Sequence, residues 1–254
     1  MSAARRDAGL DGEAGCRYPI VMKHCLKIIV AIIMAGFALP VSAAERTYSV
    51  SDFENIRVVG PFSVTVTPGR STTAKARGNP LAMDNVSVEV QDRTLTIQPV
   101  SASVSSAVRS ELAPVAIFVT VPRLVNARLS GSGVLVIAEL RGAKSDLVLT
   151  GSGTISVAKV ALDRLGLRLS GAGQMLLTGK ALSIEANAKG AGGIEGAKLA
   201  SLDLKITASS SGAIHMAASR SASVTSTGSG AIDISGKPAC TVQNLGSGTV
   251  ACGN

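Results

Sequence analysis

The sequence predicts an all-β fold: a right-handed parallel β-helix or solenoid with Gly-Ser-Gly corners, about 20 residues per coil and a strand-rich N-terminal cap. Three observations carry this. A small tripeptide recurs down the second half, aliphatic residues keep fixed places on both sides of it, and the composition suits short strands. The chain has 27 glycines and 46% hydrophobic residues, but only 2% aromatic residues and no Trp. A core without large rings must be filled by Val, Ile, Leu and Ala in thin layers, which stacked coils provide better than a two-sheet sandwich. The apolar fraction excludes a disordered chain.

The tripeptides are Gly131-Ser132-Gly133, Gly151-Ser152-Gly153, Gly171-Ala172-Gly173, Gly190-Ala191-Gly192, Ser210-Ser211-Gly212, Gly228-Ser229-Gly230 and Gly246-Ser247-Gly248. Their closing glycines are spaced 20, 20, 19, 20, 18 and 18 residues apart. Two residues after each closing glycine stands an aliphatic side chain: Leu135, Ile155, Met175, Ile194, Ile214, Ile232 and Val250. Leu129, Leu149, Leu169, Ala188 and Ala208 precede the corner, and Leu147, Leu167, Ala186, Ile206, Val224 and Val242 stand two residues earlier in their coils. A period of two within a coil marks strands with one buried face, and the longer period marks positions that stack. Glycine suits the corner because a sharp turn needs positive φ or close backbone approach. Parallel crossovers are right-handed in nearly all cases, which sets the expected hand.

One polar position repeats three residues before the closing glycine: Ser130, Thr150, Ser170, Ser209 and Thr227, interrupted by Lys189 and ended by Leu245. It forms an outward ladder able to contact a glycan or a partner strand. The blander account is that it solvates the face and satisfies backbone groups.

Upstream of the repeats, short strands are predicted at Ile56–Val59, Ser63–Thr67, Thr72–Ala76, Val86–Gln91, Thr94–Gln98 and Val115–Val121. Turn signals at Gly60-Pro61, Pro68-Gly69, Gly78-Asn79-Pro80 and Asp92-Arg93 separate them, and Val100–Ala113 reads as a Ser/Ala-rich loop. Tyr48, Phe53, Phe62 and Phe118 all fall in this region, and their expected role is the core of an N-terminal cap. The apolar run Ile28–Val41, preceded by Lys23 and Lys27 and followed by Val41-Ser42-Ala43, reads as a signal peptide with Met22 as its natural start. The organisation is therefore a signal peptide over residues 1–43, an N-terminal β region over 44–125 and seven coils over 126–254. Export is expected, to the periplasm, outer surface or medium, with no membrane span left after cleavage.

From Ala44 onward the chain carries 20 Lys+Arg against 14 Asp+Glu, scattered without a polybasic block. Nucleic-acid binding thus lacks its electrostatic footprint, while weak attraction to an anionic envelope surface follows. Lys159, Arg164, Arg168, Lys180, Lys189, Lys198 and Lys205 give the middle coils a basic bias. Cys240 and Cys252 are the two cysteines of this portion, and an oxidising compartment favours their disulfide, stapling the last coil and worth about 3 kcal/mol. A metal site is disfavoured because His215 is the only histidine beside them. No cofactor is expected.

The run Phe53-Glu54-Asn55-Ile56-Arg57-Val58-Val59-Gly60-Pro61-Phe62-Ser63-Val64 precedes Val86-Ser87-Val88-Glu89-Val90 and Leu95-Thr96-Ile97. Together with the Gly-Ser-Gly coils and the closing Ile232-Asp233-Ile234-Ser235-Gly236-Lys237-Pro238, it resembles the family called "Putative auto-transporter adhesin, head GIN domain". The resemblance spans about residues 50–254. It implies a secreted or envelope-located β-helical domain with an adhesin-like label and brings no catalytic motif. Ser210 in place of a corner glycine and Lys189 in the polar ladder are departures.

Two function classes remain. The expected one is a non-enzymatic envelope or cell-surface scaffold that binds an envelope polysaccharide or another surface protein. The rival is a polysaccharide-acting lyase or glycosidase on a β-helix, which needs carboxylates converging in one groove. Asp146 and Glu185 share a phase, as do Glu195 and Asp233, but each pair is two coils apart, and no aromatic residue beyond Asn126 offers a sugar platform.

Overall fold

The structure is a computed structural model that describes residues 44–100 and 115–253. The expected signal peptide and nearly all of the Ser/Ala-rich loop lie outside the described residues. The N-terminal elements are β1 (Ala44–Tyr48), β2 (Asn55–Val59), β3 (Ser63–Pro68), β4 (Thr73–Gly78), α1 (Pro80–Asp84), β5 (Val86–Gln91), β6 (Thr94–Pro99) and β7 (Ala116–Val121). The repeat region contributes β8 (Asn126–Gly131), β9 (Val134–Ile137), β10 (Leu140–Gly151), β11 (Thr154–Gly171), β12 (Gln174–Gly190), β13 (Gly193–Gly196) and β14 (Leu199–Ser210). It closes with β15 (Ile214–Ala217), β16 (Ser221–Ser226), β17 (Ile232–Ser235), β18 (Ala239–Asn244) and β19 (Val250–Cys252).

Parallel pairing stacks like positions of successive coils. Before the corner, β2, β8, β10, β11, β12, β14, β16 and β18 form one ladder. After it, β3, β9, β11, β12, β13, β15, β17 and β19 form another. The result is an all-β solenoid of about six turns with about 20 residues per turn, preceded by a mixed, nearly closed sheet.

The stacking also crosses the expected boundary at residue 126. Ile56 pairs with Ala127 and Val58 with Leu129, and Ser63 pairs with Val134 and Val64 with Leu135. Gly60-Pro61-Phe62 therefore occupies the corner beneath Gly131-Ser132-Gly133, as a divergent copy of the tripeptide. Its lack of the Gly-Ser-Gly signature hid it in the sequence. Around this first rung, β4 runs antiparallel to both β1 and β7, and β5 antiparallel to β6.

Two readings of this region change. Gly78-Asn79-Pro80 is not only a turn: the Asn79 side chain caps α1 by accepting from the Leu81 amide at 2.9 Å, and Pro80 tolerates the first helical position. Phe118 is not core. Ile117, Val119 and Val121 take the buried parity of β7, leaving Phe118 outward and 41% exposed beneath the Arg77 guanidinium, 5.4 Å from the ring centroid. Phe53 and Phe62 are buried as expected.

Inside the stack, Leu135, Ile155, Met175, Ile194, Ile214 and Ile232 are all buried. The position before the corner shrinks along the axis, through Leu129, Leu149 and Leu169 to Ala188, Ala208 and the buried Ser226. Neighbouring rungs compensate one another. At Gly196 a Cβ would come within 2.5 Å of the Met216 sulfur, so the longer side chain of the next rung fills the missing volume. Val242, expected in the apolar column, is 41% exposed because no rung beyond β18 covers it among the described residues.

The corners explain their own composition. The Gly131 carbonyl accepts the amides of Ser152 (3.1 Å) and Gly153 (2.9 Å), and the Gly151 carbonyl accepts those of Ala172 (3.0 Å) and Gly173 (2.9 Å). This two-into-one contact brings backbone so close that a Cβ on Gly153 would stand 2.5 Å from the Gly133 oxygen. Gly151 adds a φ of +113°. Ser210 solves the same corner differently, without positive φ: its buried hydroxyl donates to the Gly192 carbonyl at 3.1 Å and accepts from the Gly212 amide at 3.0 Å.

Candidate functional site

Strand alternation fixes which residues of the first ladder look outward. With Ile56, Ala127, Leu147, Leu167 and Ala186 inside, the next residue of each strand faces solvent, giving the in-register row Arg57, Arg128, Val148, Arg168 and Asn187. The preceding residue gives a second row, Asn55, Asn126, Asp146, Gly166 and Glu185. Two adjoining depressions lie on this face and share Asp146 and Arg168. One is bordered by Lys144, Arg164 and Glu185, the other by Arg57, Arg128 and Asn126.

Gly166 creates the relief. A Cβ there would stand 2.2 Å from Oδ1 of Asp146, so the carboxylate leans across the space a side chain would fill. The Lys144 ammonium lies 3.3 Å from Asp146 and the Arg168 guanidinium 3.9 Å. A relay of amides ties this row together. Asp146 donates its backbone N–H to Asn126 Oδ1 at 3.0 Å, and Asn126 Nδ2 donates to Asn55 Oδ1 at 2.8 Å. Glu185 pairs with Lys205 at 3.7 Å. Arg57 and Arg128 stand directly opposite each other, and neither makes an ion pair among the described residues. The arrangement is a strip of spaced cations, with the Asn55, Asn126 and Asn187 amides and the Asp146 and Glu185 carboxylates among them.

The sequence pointed to part of this strip. Of the basic residues it singled out, Arg164, Arg168, Lys189 and Lys205 fall on this ladder, whereas Lys159 is drawn to Glu139 at 3.1 Å. Arg57 and Arg128 were missed. The signal was present in Ile56-Arg57-Val58 and Ala127-Arg128-Leu129, which align once the first rung is recognised. Asp146 and Glu185 are two rungs apart with Gly166 between them, as their phase required. Glu195 and Asp233 are likewise two rungs apart, but His215 lies between them, with Nδ1 4.0 Å from Asp233.

The polar residues Ser130, Thr150, Ser170, Lys189 and Ser209 stack in one register at the corner edge of the same ladder, and the Ser209 and Thr227 hydroxyls are 2.7 Å apart. Cys240 and Cys252 are bonded, with a Cα separation of 6.5 Å, and sit on the rungs above Ala222 and Ile234. On the opposite edge of the strip Asp203 is held by Arg220 and the Ser221 hydroxyl, which lower its pKa to about 2. Among the described residues no group of three or more His, Cys, Asp or Glu is arranged to hold a metal, and no helix is long and apolar enough to cross a membrane.

Comparison with solved structures finds the same fold in three bacterial proteins. A protein from Bacteroides fragilis described as a putative adhesin is 21% identical, with a TM-score of 0.76 over 85% of this chain and 100% of its own. A Parabacteroides distasonis protein described as a putative lipid binding protein is 20% identical, with a TM-score of 0.67 over 85% of this chain and 98% of its own. A putative adhesin from Parabacteroides merdae is 19% identical, with a TM-score of 0.64 over the same shares. At these identities the likeness is one of fold. No protein of curated function matches the chain. Residues 52–238, from the first rung to the entry of the last coil, match one family profile, and the chain belongs to the family described as "Putative auto-transporter adhesin, head GIN domain".

Proposed function

We propose that the protein is a non-enzymatic, exported scaffold of the cell envelope or cell surface that binds its partner along one outward face of the solenoid. The observation that carries this is the strip itself: a ladder of spaced cations and amides spread over several rungs and lining two adjoining depressions. Such a surface contacts an extended partner at many weak points, and affinity comes from their number. Membership of a family bearing an adhesin description supports the same reading. Export is supported by the signal-like segment ending at Val41-Ser42-Ala43 and by the Cys240–Cys252 disulfide, which suits an oxidising compartment.

The test is a glycan array together with a reducing-sugar release assay on the purified protein. Binding without release of sugar is the expected result, and turnover of any polysaccharide would replace the scaffold by a β-helix enzyme. Fractionation of cells carrying a C-terminally tagged chain, with added protease, checks the compartment. Retention in the cytosol would sink the export reading.

A further inference from the structure

We infer that the row Arg57, Arg128 and Arg168, flanked by Lys144 and Arg164, binds an acidic polysaccharide lying along the solenoid axis; this deepens, and rests on, the scaffold reading above. Like charges directly opposite on a sheet destabilise it. Arg57 and Arg128 nevertheless face each other in register with no carboxylate paired to either among the described residues. Arg168 follows two rungs further on, beyond Val148. With rungs about 4.8 Å apart, guanidinium groups recur at one and then two rungs along a straight line. That is the geometry of an extended polymer bearing repeated anions, and it exceeds the needs of a single small ion.

The surroundings decide between polyanions. Asn55, Asn126 and Asn187 lie beside the arginines and offer amides to sugar hydroxyls. The row has no aromatic ring on which single-stranded nucleic acid would stack. It also has no large apolar anchor of the kind that holds a protein in a lipid interface. Two exposed leucines of the middle turns, Leu182 and Leu202, belong to a different surface depression that shares no residue with the strip. Asp146 supplies the discriminating feature. Its negative charge offsets part of the strip's positive charge, so removing it must strengthen binding of a polyanion and leaves binding of a neutral glycan unimproved.

The experiment titrates the full exported protein with polygalacturonate, with its fully methyl-esterified counterpart and with phosphatidylglycerol vesicles, at low and moderate salt. Expected are binding of the acid form that weakens with salt and a loss of about tenfold or more on esterification. The Arg57→Gln/Arg128→Gln/Arg168→Gln variant should lose about tenfold or more, Asp146→Asn should gain severalfold, and Lys237→Gln should not change. Circular dichroism and elution volume establish that each variant is folded; these side chains are on the surface, so unfolding is not expected. Equal binding of acid and ester, or retention by the triple variant, overturns the ligand class while leaving the scaffold reading intact. Arginine-dependent binding to vesicles alone overturns it in favour of a membrane. Absence of binding to all three probes overturns it outright, and a blank glycan array in addition brings down the scaffold reading itself.

Discussion

At the N-terminal end of the stack, the first rung buries Val58 and Phe62, Leu129 of the next rung pairs with Val58, and β6 and β7 beside that rung carry the antiparallel strands β5 and β4. At the other end β18 is exposed along all six residues, and among the described residues the Cys240–Cys252 bond ties the last two strands together. Between these ends the core before each corner falls from leucine to alanine to serine, and the corner changes from positive-φ glycine to Ser210 and its successors. The difference teaches that one repeat can be built at two levels of local stability. Because each rung contacts only its neighbours, stability follows the volume each rung buries and what covers its outer side.

The largest effect is expected from the same clash introduced at both places. Gly153→Ala puts a Cβ 2.5 Å from the Gly133 oxygen and 3.0 Å from the Leu129 side chain, in a rung fixed from above and below. It should cost about 3 kcal/mol or more in denaturant unfolding. Gly248→Ala meets the Gly230 oxygen at 2.1 Å, but no described rung lies above this one, and the loss should stay below about 1 kcal/mol. Equal costs would remove the distinction between the ends.

Next in size is the core. Leu149→Ala empties a fully buried site and should destabilise by about 2 to 5 kcal/mol, whereas Val242→Ala, at a position 41% exposed, should change stability by about 0.5 kcal/mol or less. Removing the disulfide with Cys240→Ser/Cys252→Ser releases a closed loop worth up to about 3 kcal/mol. Hydrogen exchange should report that loss in β18 and β19 and leave the protection of β10 and β11 unchanged. Loss of protection throughout would make the bond a global element of the fold.

The smallest effect concerns the Asp203–Arg220 pair on the late turns. The Arg220 guanidinium and the Ser221 hydroxyl hold the Asp203 carboxyl at about 2, below its ordinary 3.8. A depressed carboxyl contributes stability that is present above its unfolded pKa and is lost as pH falls through the folded one, here between about 4 and 2. The pair is exposed and solvent-screened, so the readout is the titration itself. Arg220→Gln should move the Asp203 midpoint, followed by NMR, back toward the ordinary carboxylate range.

Much of the fold was legible because the corner is a backbone requirement. Where a Cβ meets a carbonyl of the rung below, glycine is favoured, and that prints a period into the sequence. The first rung escaped because Phe62 takes the place of a corner glycine, and its alignment with Gly133 exists only through pairing across 71 residues. The basic strip was half legible for the same reason: Arg164 and Arg168 lie in the visible repeat, while Arg57 joins Arg128 only once β2 is seen beneath β8.

The sequence by itself determined the period, the corners, the inward aliphatic columns and the cysteine pair, since each is written in local spacing and alternation. Tertiary structure alone decided that Gly60-Pro61-Phe62 is a corner, that Phe118 faces outward and that no described rung covers Val242. It also decided that three arginines from distant segments stand on one line. Those outcomes depend on which strand lies against which, and on what covers the last rung, and neither is encoded within a single coil.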